Sequence, residues 1–372
     1  MRLILQPNDG VAPLLKGIDE AKETIEILIF RFDHRQMEHA LVRAVGRGVR
    51  VRALIAYTNR GGEKNLRALE LRLLAAGVTV ARTAGDLIRY HGKMIIIDQR
   101  KLYLLAFNFT YMDIDRSRSF GVIATDPDLI QEATSLFDAD SQRQPYTPRL
   151  SEFIVSPVNA RRELFAFIKS AKTELLLYDP SVRDQEILRL LEERSKAGVS
   201  IRLLGTTKRG AKFAFRPFNR MRLHTRTMIR DQGDVFVGSQ SLRAAELDQR
   251  REIGIIFHDL QIAGALVKCF NEDWELANVP AEEAVIEETF PAKKIAKKVA
   301  KAVTKDLAPV VPVVEGVVKE VAGEAANVDL DPDRLQDAVK DAVKNAVKEV
   351  VREAFDDAQT GHVAEAEKRN GP

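Results

Sequence analysis

Apolar runs of strand length alternate with stretches of helical spacing along the first 280 residues. The runs at 24–30, 48–56, 78–81 and 120–124 are rich in Ile, Val, Leu and Ala and fit buried strands. At 37–45, 66–76 and 128–138 the apolar residues recur three or four apart, which puts one face of a helix on a core. The stretch 17–21 reads as the end of an opening helix. The same order then returns, with helix at 159–171, strand at 173–178, helix at 185–196 and a strand at 198–204 that echoes 48–54. Alternation of this kind predicts an α/β sandwich in each of two pseudo-symmetric lobes. The proline-bearing stretch 144–148 reads as the connection between lobe one, 1–143, and lobe two, 149–280.

One pattern inside each lobe carries chemistry. His91-Gly92-Lys93 leads into the apolar run Met94-Ile95-Ile96-Ile97, which ends at Asp98. A histidine and a lysine two apart share one face of an extended chain. The run is expected to pair with 101–107 as a hairpin across Gln99-Arg100. The layout recurs 133 residues later as His224-Thr225-Arg226 and Met228-Ile229-Arg230-Asp231. The register continues without a gap. Leu102-Tyr103-Leu104 falls on Val235-Phe236-Val237, Leu105 to Asn108 fall on Gly238 to Ser241, and Arg118-Ser119 falls on Arg251-Glu252. A single histidine on a buried strand is an ordinary core residue; two in register signal an internal duplication and a shared site.

These stretches resemble the phospholipase D superfamily and its doubled His-x-Lys-(x4)-Asp-(x6)-Gly-Ser-x-Asn pattern. The resemblance spans roughly 1–280 and implies two phospholipase D-like α/β/α sandwich lobes followed by a helical C-terminal tail. Several positions depart from the pattern: Arg226 replaces lysine, Leu105 and Ala106 replace Gly-Ser, Ser241 replaces Asn, and Ser119 stands where the second copy has Glu252. The resemblance implies His91 as nucleophile and His224 as general acid, with the reverse assignment equally compatible. Lys93 and Arg226 would clamp phosphate, and Asn108, Ser239 and Ser241 would line its pocket. Glu252 would orient an imidazole. Asp98 and Asp231 are expected to fix strand ends. His34, His39, His258 and His362 lack such context and read as surface or helix residues. No cofactor or metal is called for.

Composition narrows the setting. A net charge of +3 over 372 residues is nearly balanced, so any basic partner surface must be local. The single cysteine, Cys269, excludes an intrachain disulfide and a Cys-rich zinc site, and its apolar surroundings make it a core residue. No apolar run approaches 18 residues and the opening run is too short for a signal peptide, so the expected location is cytoplasmic or peripheral to a membrane. One local basic stretch is 208–222, where Lys and Arg interleave with Phe213, Phe215 and Phe218. It reads either as a nucleic-acid or acyl-chain contact or as a loop whose aromatics fill the core. Beyond 280 the sequence divides into a basic, flexible linker at 281–330, an amphipathic helix at 331–358 and a disordered tail at 359–372. Within these, 292–305 suits an anionic membrane surface and 333–355 suits self-association. Three functions follow: a phosphodiesterase or phosphatidyl-transferase acting on phospholipid, a nuclease on the same scaffold, and a non-catalytic phosphate-binding module.

Overall fold

The structure is a computed structural model that describes residues 1–58 and 63–277. The linker, amphipathic helix and tail expected beyond 280 lie outside the described residues. Lobe one runs β1 (Arg2–Gln6), α1 (Ala12–Glu20), β2 (Thr24–Ile29), α2 (Arg35–Gly46), β3 (Arg50–Ile55), α3 (Glu63–Ala75) and β4 (Thr79–Arg82). It continues with β5 (Arg89–Tyr90), β6 (Met94–Ile97), β7 (Lys101–Leu105), α4 (Tyr111–Asp115), β8 (Ser117–Ala124) and α5 (Pro127–Gln142). Lobe two begins with β9 (Phe153–Val155), α6 (Ala160–Lys169), β10 (Glu174–Ser181), α7 (Gln185–Lys196), β11 (Ser200–Thr206) and β12 (Ala214–Arg216). It ends with β13 (Arg222–Leu223), β14 (Arg226–Arg230), β15 (Asp234–Gly238), α8 (Ala244–Asp248), β16 (Arg250–Arg251), β17 (Ile253–His258) and α9 (Leu260–Leu276).

The two sheets share one plan. The first has the order β1-β8-β7-β6-β2-β3-β4 and the second β12-β11-β10-β14-β15-β17-β9. In each, an inner strand, β2 or β10, pairs parallel with the next sheet strand of its lobe and antiparallel with the central strand, β6 or β14, that follows a histidine. The β6–β7 hairpin turns on Asp98 and Gln99 at φ 52° and 50°, and the β14–β15 hairpin on Asp231 and Gln232 at 49° and 58°. Two successive left-handed residues are what a tight hairpin turn needs to follow strand twist. The turn therefore sits one residue earlier than the expected Gln99-Arg100.

Helices cover both faces of each sheet. α1, α2 and α3 pack their apolar sides on one face of the first sheet around Ile25, Ile27, Ile95 and Ile97. α6 and α7 do the same on the second sheet around Leu175, Leu177 and Leu203. The inner faces meet in one shared core with α5 and α9. There Leu28, Met94, Phe120 and Phe137 of lobe one join Phe153, Tyr178, Val237, Phe270 and Trp274 of lobe two. Cys269 is buried in this core as expected. At roughly 1.5–3 kcal/mol for each large side chain buried, the shared cluster outweighs what separate lobes would gain by exposing it to water. Both lobes accordingly fall in one compact unit.

Candidate active site

Two short inter-lobe pairings build the site. β5 of lobe one runs parallel to β16 of lobe two, and β13 of lobe two runs parallel to the start of β8 of lobe one. None of these short strands is evident in the apolar pattern, because two residues carry no period. Each pairing extends by one bond: the His91 N–H donates to the Arg251 carbonyl at 2.7 Å, and the His224 N–H donates to the Arg118 carbonyl at 3.0 Å. Each histidine therefore leaves pairing with the opposite lobe before its own strand begins, and neither lies inside a strand as expected. Gly92 allows this crossing, since a Cβ there would meet Leu28 Cδ2 at 2.9 Å and Ile253 Cγ1 of the other lobe at 3.1 Å.

Around His91 the geometry is tight. Its Nδ1 lies 2.7 Å from Glu252 Oε2, across the lobe junction. Lys93 Nζ lies 2.9 Å from Nε2 and 3.0 Å from Nδ1. All three side chains are buried. Burial, then the Lys93 and Arg226 cations, push the imidazole well below its ordinary value, so the ring is neutral. A neutral ring that donates Nδ1–H to the carboxylate keeps its lone pair on Nε2. Burial also lowers Lys93 to about 7, against the pull of Glu252, and raises Glu252.

His224 is held differently. Position 119, which mirrors Glu252, is Ser119, and its hydroxyl donates to the His224 carbonyl at 2.9 Å rather than to the ring. The ring nitrogen Nδ1 lies 3.3 Å from Asp113 Oδ2 without the alignment of a hydrogen bond. Asp113 is buried and also accepts from the Asn108 N–H at 2.9 Å, from Asn108 Nδ2 at 2.5 Å, and from Arg222. Asp113 escaped the sequence reading. Its signal was present in the register, because Glu246 occupies the matching place and accepts the Ser241 N–H at 2.9 Å. Burial, followed by Arg226, Arg222 and Lys93, keeps His224 well below its ordinary value.

The remaining positions divide between site and scaffold. Arg226 donates from Nε to Ser241 Oγ at 3.1 Å, while its buried Nη1 finds no hydrogen-bond partner. Asn108 Oδ1 is likewise buried without one. A buried donor such as Nη1 is costly unless an acceptor, such as a phosphate oxygen, meets it. Ser239 lies beside Glu252, and its hydroxyl accepts from the Ile253 N–H at 3.1 Å and donates to the Ile253 carbonyl at 3.3 Å, tying β15 to β17. Asp98 accepts the Lys22, Glu23 and Thr24 N–H groups at 2.9, 2.7 and 2.9 Å. Asp231 does the same for Lys172, Thr173 and Glu174 at 2.9, 2.8 and 3.0 Å. Both thus pin the start of the inner strand, β2 or β10. Among the described residues, no group of three or more His, Cys, Asp or Glu is arranged to hold a metal ion.

One histidine lies deeper than its sequence context suggested, and one open alternative closes. His34 is not a surface residue: it is buried and stacks on Tyr111 with ring centroids 4.2 Å apart. In 208–222, Phe213 and Phe218 are buried in two different cores, and Phe215, half-buried on β12, packs against the outer core of lobe two. Several of its cations are engaged. Lys208 pairs with Glu192 at 2.9 Å, Arg216 lies 4.1 Å over the Trp274 ring, and Arg222 reaches Asp113. The aromatics of this stretch fill the core.

The bilobal α/β fold thus brings the two repeated histidines to one junction between the lobes. Residues 14–141 match the family model described as cardiolipin synthase, PLD-like domain. A mitochondrial cardiolipin hydrolase of Danio rerio is 27% identical over 130 residues, covering 34% of this chain and 56% of the relative. A phospholipase D of Rickettsia conorii is 31% identical over 114 residues, covering 31% of this chain and 55% of that protein. The chain thus spans about half the length of the curated relatives it matches. The crystal structure of polyphosphate kinase from Porphyromonas gingivalis superposes with TM-score 0.61 at 19% identity, over 73% of this chain and 50% of that one. These findings support a phospholipase D-like domain over residues 14–141. Among the described residues no helix is long and apolar enough to cross a membrane.

Proposed function

We propose that the protein cleaves a phosphodiester through a covalent phosphohistidine on His91. The observation that carries this reading is the His91 Nδ1 to Glu252 contact of 2.7 Å, made between lobes. It fixes one tautomer and leaves Nε2 as the nucleophile, which also favours His91 over His224 for that role. In the first step Nε2 attacks phosphorus, the N–P bond forms, and the bond to the leaving oxygen breaks. His224, which faces Asp113 and takes up a proton as the phosphate anion binds beside it, gives that oxygen its proton. The phosphoryl-imidazole retains Nδ1–H and is cationic, so the buried Glu252 carboxylate stabilises it. Lys93 and Arg226 meet the charge on the phosphoryl oxygens. In the second step His224 takes a proton from water or an alcohol, the new P–O bond forms, and the N–P bond breaks.

A phospholipid is the favoured substrate. Its support is the description of the matching family as cardiolipin synthase-like and the names of the curated relatives. The burial of Phe213 and Phe218 weakens the support for a nucleic-acid surface. The test uses a bis-nitrophenyl phosphate, anionic-phospholipid vesicles and an oligonucleotide as parallel substrates, each with EDTA present. Intact-mass measurement follows the adduct. Release and a phosphate adduct that both vanish in His91→Ala support the mechanism. Cleavage of the oligonucleotide but not the vesicles would replace lipid by nucleic acid. No turnover and no adduct on any substrate would leave phosphate binding alone.

A further inference from the structure

Two buried ion pairs bracket the histidine contacts. Arg251 Nη2 lies 3.1 Å from Asp140 Oδ1. Arg118 donates from Nε and Nη2 to Asp273 at 2.8 and 2.9 Å. Each pair crosses the junction in the opposite sense. Arg251 of lobe two meets α5 of lobe one, and Arg118 of lobe one meets α9 of lobe two. The two pairs occupy matching positions in the internal repeat. Each arginine spends a further Nη1 donor on the end of a strand: Arg251 on the Ser156 carbonyl at 3.3 Å, Arg118 on the Gln6 carbonyl at 3.2 Å. Neither guanidinium has a hydrogen bond to an imidazole.

Their backbones hold the histidines. The Arg251 carbonyl accepts the His91 N–H, and the Arg118 carbonyl accepts the His224 N–H. The residue after Arg251 is Glu252, whose carboxylate meets His91. A guanidinium is a rigid fork, and charge-assisted bonds at its far end restrict where its own backbone can sit. We propose that Arg251–Asp140 and Arg118–Asp273 are positioning pairs, through which the closing helix of each lobe, by way of an arginine of the other lobe, sets the depth of its own lobe's histidine. The inference rests on His91 and His224 being the reacting pair.

Removing one partner would strand a buried charge, so the test replaces both. An apolar pair of similar volume is often neutral for stability. Arg251→Met/Asp140→Leu is compared with wild type and with Arg251→Lys in the full-length protein. The first readout is the histidine 15N spectrum of the free protein, which reports the His91 tautomer and its bond to Glu252 without any turnover. The second is kcat against KM on a nitrophenyl diester. Positioning predicts an unchanged unfolding temperature, displaced His91 ring signals, and kcat lower by roughly 10–100-fold with KM little changed. Arg251→Lys should recover part of the loss. A folded double variant with wild-type His91 signals and wild-type kcat would overturn the proposal, leaving the pairs as inter-lobe adhesion. Should the double variant not fold, Asp140→Asn, which keeps an acceptor and removes the charge, is read the same way. If wild type shows no turnover, the failure belongs to the proposed function, and the 15N spectra alone decide the positioning role.

Discussion

At the residue scale the two histidines are unequal, and their variants should separate the two steps. A nitrophenolate leaves without protonation. His224→Ala should therefore still form the adduct on His91 with a nitrophenyl diester, but resolve it about 10²–10⁴-fold more slowly, because water then lacks its base. Intact-mass spectra should show the adduct accumulating in that variant and absent in His91→Ala. Glu252→Gln keeps a hydrogen-bonding group beside Nδ1 but removes the charge that stabilises the cationic adduct. We expect kcat on the same diester to fall by roughly 10²-fold with little change in folding, and unaltered kcat would count against the carboxylate's role. The pH profile follows from Lys93. Its value near 7 in the free site means that the clamp is cationic below pH 7 and neutral above it. A phosphodiester anion binds the cation, so kcat/KM for the nitrophenyl diester should fall with rising pH above about 7, as one proton is lost. Lys93→Arg should carry that limb out of range, because a guanidinium stays charged.

At the scale of elements, the aspartates that end the histidine strands are stability devices. Asp98 and Asp231 each gather three backbone N–H groups at the start of β2 and β10, and these bonds hold both carboxyls below their ordinary value. A depressed carboxylate contributes stability above its unfolded value and loses it as pH falls through the folded one. Asp98→Ala should therefore cost roughly 1–2 kcal/mol at pH 7, and the difference from wild type should shrink as the pH falls below the ordinary carboxylate range. Denaturant unfolding at pH 7 and pH 3 measures it. These elements were legible beforehand, since β2, β3, β6 and β7 carry long apolar runs and the β6–β7 turn was legible to within one residue. What stayed hidden was either short or non-local. β5, β13 and β16 are two residues each and exist only because the other lobe supplies a partner. Asp113 lies outside the repeated motif's named positions, and only the three-dimensional turn of α4 brings its carboxylate to His224. Phe213 and Phe218 could not be assigned from composition, because a basic loop with aromatics reads alike whether the rings face in or out.

At the scale of the whole molecule the site exists only because two lobes share one core. His91 takes its carboxylate from lobe two, and His224 takes its backbone acceptor from lobe one. Phe137, Phe120, Tyr178, Phe270 and Trp274 are among the large side chains in the common cluster. At about 1.5–3 kcal/mol each, these five together reach the upper part of the roughly 4–15 kcal/mol cost of bringing two separate bodies together, before the rest of the cluster is counted. The connection at 143–145 is exposed, and Tyr146 just beyond it is tied back to Glu132 of α5. A protease site built at 143–145 and cut in the folded protein should therefore leave the two pieces in one particle. Diester cleavage should stay within about twofold of the uncut protein, since no bond at the histidines passes through the connection. Gel filtration and turnover after cutting test this together. Separation of the pieces would mean that the inner faces do not bury enough to hold the lobes. One particle with lost turnover would mean that the connection itself sets the alignment of His91 with Glu252.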